Sequence, residues 1–384
     1  MQNNIKHSRT SFKSKNSEVK IVLTGGHAAT TAIAVVEELI RRNKNGANYD
    51  ISWVGSQTAI EGKKIPTLES ITFPKLGVKT YSIKAGRLQR KITFWTIPSL
   101  LKIPVGLIQA FNILFDIRPK IVISFGGFAA FPVVLSAWLL RIPVLIHEQT
   151  IAVGLANRMS ALFANKIALA RKESLDFFPK DRCVTTGNPL LTKVANIQPK
   201  DKPSDPPVLF VSCGSRGSQV INRSLGPILP QLLRKFKVIH LTGLLDYKKY
   251  LDIKGDLENS ISKNYVVYDL VDPLQIDTIY YQADIIVGRA GANTVSEIIA
   301  TKRPAILIPI PWAYLNEQTK NATYAREFGV ATVLPQNELT PERLLVAIEE
   351  VKNNWERIVL KIEKKISPDT TASSRVVDLA ETLL

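Results

Sequence analysis

The chain has 384 residues, 45% of them hydrophobic, and a formal charge of +17. That length supports two domains with separate cores, while two cysteines and four histidines rule out a disulfide framework and leave little for a metal centre. The basic surplus calls for an anionic partner, whether nucleic acid, a lipid surface or phosphorylated small molecules.

Residues 1–18 are polar and basic (Lys6, Arg9, Lys13, Lys15), lack the apolar run of a signal peptide, and read as a disordered tail on a cytoplasmic chain. A strand over 19–23 runs into Thr24-Gly25-Gly26-His27, followed by a helix over 31–42 and a strand over 49–54. From Ser70 to Phe115 there is no acidic residue. Lys75, Lys79, Lys84, Arg87, Arg90, Lys91 and Lys102 are interleaved there with Phe94, Trp95, Ile97, Leu100, Leu101, Ile103, Leu107 and Phe111. Bulky apolar groups beside cations suit an interfacial contact with anionic lipid, although a core helix next to a solvated basic loop gives the same pattern.

A helix over 100–113, a strand over 121–124, a helix over 131–140 and a strand over 144–146 complete the first half. The apolar stretch 125–140 is too short to span a bilayer and contains Gly126, Gly127 and Pro132. The Pro-rich segment 198–207 reads as a linker between a domain at 19–197 and a second at 208–355, with helices over 356–384 expected to pack back on the first. Strands in the second half are expected at 208–212, 237–241, 265–267, 285–287, 305–308 and 332–334. Strands alternating with helices indicate an α/β protein with parallel sheets, whose ligands bind beyond the carboxyl ends of the strands. Zinc-finger spacing and RNP-like aromatic motifs are both missing, which sets nucleic acid aside.

Glycine turns follow strands at Gly25-Gly26, at Gly126-Gly127 and at Gly214-Ser215-Arg216-Gly217. A fourth turn, Gly291-Ala292-Asn293-Thr294, leads into a helix start containing Val295, Ser296 and Glu297. Such turns let a backbone approach a phosphate, and a helix start offers it free N–H groups. Glu297, one turn in, is placed to accept two hydroxyl protons from a sugar or ribose diol, or else to complement the helix dipole behind a capping threonine. His27 is the first candidate for a general base, since imidazole takes a proton near neutral pH; a histidine that merely caps or packs is the alternative.

Taken in order, Thr24-Gly25-Gly26-His27, Ser124-Phe125-Gly126-Gly127-Phe128, His147-Glu148-Gln149, Gly187-Asn188-Pro189, Gly214-Ser215-Arg216-Gly217, Arg289 to Glu297 and Gln318-Thr319-Lys320-Asn321-Ala322 resemble the MurG family. The family moves GlcNAc from UDP-GlcNAc to undecaprenyl-diphosphate-linked muramyl-pentapeptide, converting lipid I to lipid II in peptidoglycan synthesis. The resemblance implies the GT-B fold, with two Rossmann-like domains facing a cleft, the acceptor in the first and the donor in the second. It implies an inverting transfer with His27 as base and no cofactor or metal. Ser215 would contact the UDP phosphates, Ala292 to Glu297 would line the nucleotide-sugar site with Glu297 on the ribose, and Gln318, with Asn321 nearby, would hold the GlcNAc. Thr24, Gly25 and Gly26, with Gly126 and Gly127, would lie against the sugar and the acceptor diphosphate. The basic apolar stretch 86–110 would face the cytoplasmic leaflet as a peripheral membrane contact. Three further positions expected to bind substrate depart from the family: Thr150, where an Asn is usual, Leu191, usually Arg, and Arg216, usually Gln. A UDP-sugar transferase with another lipid acceptor, or a non-catalytic lipid-surface binding protein, are the alternatives these departures leave.

Overall fold

The computed structural model describes residues 17–26, 29–56, 67–84, 96–212 and 217–384, with 96–103 described by backbone alone. His27, Gly214, Ser215 and Arg216 lie outside the described residues, as do Arg87, Arg90 and Lys91.

The first half runs β1 (Val19–Gly25), α1 (Ala29–Lys44), β2 (Tyr49–Gly55), α2 (Leu68–Lys75), β3 (Lys79–Ser82) and α3 (Thr96–Ile117). It continues with β4 (Ile121–Ser124), α4 (Ala130–Leu139), β5 (Val144–Glu148), α5 (Leu155–Ser160), β6 (Lys166–Leu169), β7 (Cys183–Thr185) and α6 (Thr192–Ala195). The second half runs β8 (Val208–Ser212), α7 (Gln219–Leu225), α8 (Leu229–Leu233), β9 (Lys237–Leu241), α9 (Tyr247–Asp256), α10 (Asn259–Ser262) and β10 (Tyr265–Tyr268). After it come α11 (Ile276–Gln282), β11 (Ile285–Gly288), α12 (Ala292–Thr301), β12 (Ala305–Leu307), α13 (Glu317–Phe328) and β13 (Ala331–Val333). Three helices close the chain, α14 (Pro341–Asn353), α15 (Trp355–Ile362) and α16 (Ala372–Glu381).

Every strand pairing among the described residues is parallel. The first sheet has the order β3-β2-β1-β4-β5-β6-β7 and the second β10-β9-β8-β11-β12-β13. Each is a Rossmann-like sheet whose order reverses beside its first strand, at β1/β4 and at β8/β11. Central strands such as β5 and β8 are buried along their whole length, as β-branched and aliphatic runs covered by helices on both faces require. Three strands escape the sequence pattern. β3 and β7 are exposed edges without an apolar run, and β6 offers only Ile167, Ala168 and Leu169.

The segment after β13 divides between the two halves. α15 stays on the second through buried Trp355 and Val359, and Trp355 Nε1 donates to Asp284 O at 2.9 Å. α16 returns to the first, burying Val376, Val377 and Ala380 in the core that holds α1. Arg42 of α1 meets Asp378 at 2.5 Å and Glu381 at 2.7 Å. The segment between β7 and β8 is pinned by Lys200, whose Nζ lies 2.7 Å from the buried Asp284 carboxylate.

Candidate functional site

The reversal of strand order puts two glycine turns side by side at the carboxyl edge of the first sheet, and at that of the second it brings the end of β8 beside the end of β11. At β1/β4, Gly26 N donates to Gly126 O at 2.8 Å. Gly126 and Gly127 take φ of +76° and +88°, and a Cβ on Gly127 would stand 2.7 Å from Gly26 O. Only glycine combines that φ with that approach. Buried Thr24 stands beneath this pair, and its Oγ1 has no partner among the described residues. At β8/β11, a Cβ on Gly288 would meet Ser212 O at 2.8 Å, and Gly217 takes φ of +76°. Arg289 braces the second pair, donating from Nε to Ser218 Oγ at 3.1 Å and from Nη1 to Ile308 O at 3.0 Å.

Behind the first pair, the His147-Glu148-Gln149 segment is scaffolding. His147 is fully buried, its Nε2 bonds Gly187 O at 3.0 Å, and burial pushes its pKa down to about 4. It is therefore neutral near pH 7, donating through Nε2 and tying β5 to the Gly187 turn. Glu148 accepts from Asn157 Nδ2 (2.8 Å), Thr150 N (3.0 Å) and Thr150 Oγ1 (2.9 Å), and burial raises its pKa. Thr150 thus closes the loop after β5. Gln149 Nε2 reaches Phe125 O at 3.2 Å and steadies the Gly126 turn from behind. Leu191, 5% exposed, packs in the core of the first half and presents no surface to the cleft.

On the donor side, α12 begins at Gly291 with extended backbone (φ −67°, ψ 151°) and no side-chain cap. Its first N–H groups thus stand at the turn without a capping side chain. Gly291, Ala292, Asn293 and Thr294 are partly exposed along this start. Glu297, half-buried one turn in, accepts a hydrogen bond at Oε2 from Tyr280 OH (2.6 Å), and burial pushes its pKa up to about 7. Gln318 Oε1 accepts from Ile310 N at 3.1 Å, holding the loop between β12 and α13. Asn321 is buried and donates to Ala290 O at 3.1 Å, so it shapes the turn from beneath. Val295 is 2% exposed in the core of the second half, away from the cleft surface expected for it.

Between the halves lies a polar junction that sequence reading missed. Ser296, fully buried, accepts from Arg171 Nη2 (2.9 Å) and Asn188 Nδ2 (3.1 Å). It belongs to the junction, where the sequence had suggested a substrate contact. Asn293 spans the two halves as well: Nδ2 donates to Thr30 Oγ1 (2.5 Å), while Oδ1 accepts from Thr31 Oγ1 (3.1 Å) and Asn188 Nδ2 (2.9 Å). Arg171 and Asn188 have no periodicity to mark them, since each stands in an irregular segment after a short strand. Tyr280 is hidden in an ordinary amphipathic helix. Among the described residues no cluster of His, Cys, Asp and Glu could hold a metal ion.

Comparison with known proteins agrees with this geometry. Residues 22–169 match the model of the glycosyltransferase family 28 N-terminal domain, and residues 208–383 match that of the family 28 C-terminal domain. A protein of Lachnospira eligens named UDP-N-acetylglucosamine--N-acetylmuramyl-(pentapeptide) pyrophosphoryl-undecaprenol N-acetylglucosamine transferase is 32% identical over 363 residues, 91% of this chain and 96% of that protein. A Legionella pneumophila protein of the same name is 33% identical over 356 residues, 89% and 92% of the two chains. Among solved structures, Acinetobacter baumannii MurG superposes with a TM-score of 0.67 at 24% identity, over 95% of this chain and 99% of that one. The Neisseria meningitidis UDP-GlcNAc 2-epimerase bound to UDP-GlcNAc gives 0.64 at 13% identity, over 95% and 100%. Both likenesses speak for the fold.

Proposed function

The chain belongs to glycosyltransferase family 28, within the MurG family, and from that premise we propose that it transfers GlcNAc from UDP-GlcNAc to undecaprenyl-diphosphate-linked muramyl-pentapeptide, making lipid II. The observation that carries this reading is the 32% identity to a transferase of that name across 91% of the chain. The paired glycine turns supply the chemistry.

In the donor half, the ribose diol sits on the Glu297 carboxylate and the GlcNAc against Gln318. The diphosphate binds at the start of α12, with Ser215 and Arg216 as its proposed side-chain contacts. The acceptor diphosphate lies against Thr24, Gly25, Gly26, Gly126 and Gly127. The acceptor hydroxyl attacks the anomeric carbon from the face opposite UDP, the bond from that carbon to the phosphate oxygen breaks, and the configuration inverts. His27 takes the hydroxyl proton. Backbone N–H groups and the dipole of α12 stabilise the charge that develops on the departing UDP.

The enzyme acts at the cytoplasmic face of the cell membrane as a peripheral protein. No helix among the described residues is long and apolar enough to cross a membrane. An apolar surface does run over α3, α4, α5 and the turn after it: Ile108 is 62% exposed, Phe115 54%, Trp138 51%, Leu155 55% and Leu162 73%. These helices pack side by side. The Arg118 guanidinium lies 5.8 Å from the Phe115 ring centroid, a cation beside the apolar patch. Two lysines of the basic stretch do not take part, because Lys75 pairs with Asp272 (3.1 Å) and Lys79 with Asp50 (3.3 Å).

The test is transfer from labelled UDP-GlcNAc to a lipid I analogue. Lipid II formation that disappears in His27→Ala supports the assignment. Donor hydrolysis without transfer points to another acceptor, and absence of UDP-GlcNAc binding overturns the enzyme reading.

A further inference from the structure

We infer that Tyr280 is a positioning residue for donor binding: its hydroxyl holds one oxygen of Glu297 so that the other is presented to the ribose. The inference rests on the reading above in which Glu297 receives the ribose diol.

Tyr280 lies on α11 and Glu297 on α12, two helices joined through β11, so their side chains meet on one side of the second sheet. Tyr280 is 2% exposed and its ring packs edge-on against Phe210 of β8 at 5.8 Å between centroids. The ring is therefore fixed by the core, and its hydroxyl arrives at Glu297 Oε2 with an O–O distance of 2.6 Å. Burial and the facing carboxylate raise the tyrosine pKa well above its ordinary value, which keeps the hydroxyl a donor throughout the working range. Arg303, the cation beside Tyr280, donates instead to carbonyls: Tyr280 O at 3.3 Å and Thr301 O at 2.9 Å. It fixes the end of α11 and leaves the Tyr280 hydroxyl to orient the carboxylate.

A half-buried carboxylate that rotates between orientations offers a diol poorer acceptor lone pairs than one held by a charge-assisted hydrogen bond. The same bond favours the ionised form. A diol donating two hydrogen bonds needs that form, since a protonated carboxyl would turn one acceptor into a donor.

The experiment compares wild type, Tyr280→Phe and Glu297→Ala with UDP-GlcNAc and with its 2′,3′-dideoxyuridine analogue. Tyr280→Phe is expected to raise the donor KM about tenfold, the effect of one hydrogen bond to a charged group, while kcat stays within about twofold. On the dideoxy donor the two enzymes should have the same KM. In the wild type the donor KM should rise as pH falls through about 7, and in Tyr280→Phe that rise should begin at higher pH. If Glu297→Ala leaves the donor KM unchanged, the ribose reading itself fails. If Glu297→Ala raises KM but Tyr280→Phe does not, or if the Tyr280→Phe penalty persists in full on the dideoxy donor, Tyr280 does not position Glu297.

Discussion

Arg171 and Asp369 form a two-pronged buried ion pair, Nη1 to Oδ1 and Nη2 to Oδ2, both at 2.7 Å. Arg171 follows β6 in the first half, whereas Asp369 lies on the segment that brings the chain back from the second half to α16. Asn188 N also donates to Asp369 Oδ1 at 2.8 Å, and the Arg171 guanidinium covers the Tyr324 ring of α13 at 4.6 Å. Gly187 takes φ of +85°, and a side chain there would collide with Pro368 O. The returning segment is thus locked against both halves at the base of the cleft.

Asp369→Ala leaves the Arg171 charge buried without its carboxylate. Breaking such a pair on one side costs about 3–5 kcal/mol. Urea unfolding should show that loss as a lower midpoint, and Asp369→Asn should recover part of it by keeping one acceptor. An unchanged midpoint in Asp369→Ala would mean that the pair does not hold the halves together.

Asn293 makes a different connection, because its three partners belong to the first half while its backbone belongs to the donor turn. Asn293→Ala removes three neutral hydrogen bonds, each contributing about 0.5–1.5 kcal/mol net. The expected result is a broader distance distribution between labels on the two halves in the absence of donor, together with a lower urea midpoint. A distribution identical to that of the wild type would show that Asn293 does not restrain the cleft.

Much of this arrangement was legible in the sequence. β4, β8 and β9 lie where their β-branched runs predict, and the Gly25-Gly26 and Gly126-Gly127 turns come together because each follows a strand at the point of sheet reversal. The junction was not legible. Arg171, Asp369, Ser296 and Asn188 are separated by up to 198 residues and become partners only through the return of the chain. Val295 and Leu191 were expected at the cleft from their positions within motifs. Helix and turn geometry direct these two apolar side chains into the cores instead.

Stability should depend on pH through two buried histidines. Burial depresses His147 to about 4 and His240 to about 3 from an ordinary value of 6.5. Below pH 6.5 the unfolded chain binds protons that the folded chain refuses, so stability is complete above that pH and declines as pH falls toward the folded values. The shift at His147 corresponds to roughly 3 kcal/mol by the time both states are protonated. Between pH 7 and pH 4.5 this contribution makes the wild-type urea midpoint fall, against the opposite drift from Glu297, whose pKa is raised to about 7. In His147→Gln the fall should be shallower, even though that variant starts from a lower midpoint at pH 7. Parallel curves for the two proteins would remove His147 from the account.

The apolar surface of the first half gives the last prediction, and the choice of residues decides what it tests. Trp138 packs on the Phe163 ring at 5.2 Å, so its replacement would disturb the fold as well as the surface. Ile108 and Leu162 are 62% and 73% exposed, and changing both to serine removes apolar area that is mostly in water already. Folding stability should therefore change little. At a lipid boundary each side chain would contribute up to roughly 1.5–3 kcal/mol of burial, so the double variant should lose most of its sedimentation with vesicles containing anionic phospholipid. Wild-type binding should weaken with salt, because part of the attraction comes from cations such as Arg118 near the headgroups. Transfer to a water-soluble acceptor analogue should be unchanged in the double variant, which separates a surface role from a catalytic one. Vesicle binding that survives both substitutions would place the membrane contact elsewhere on the protein.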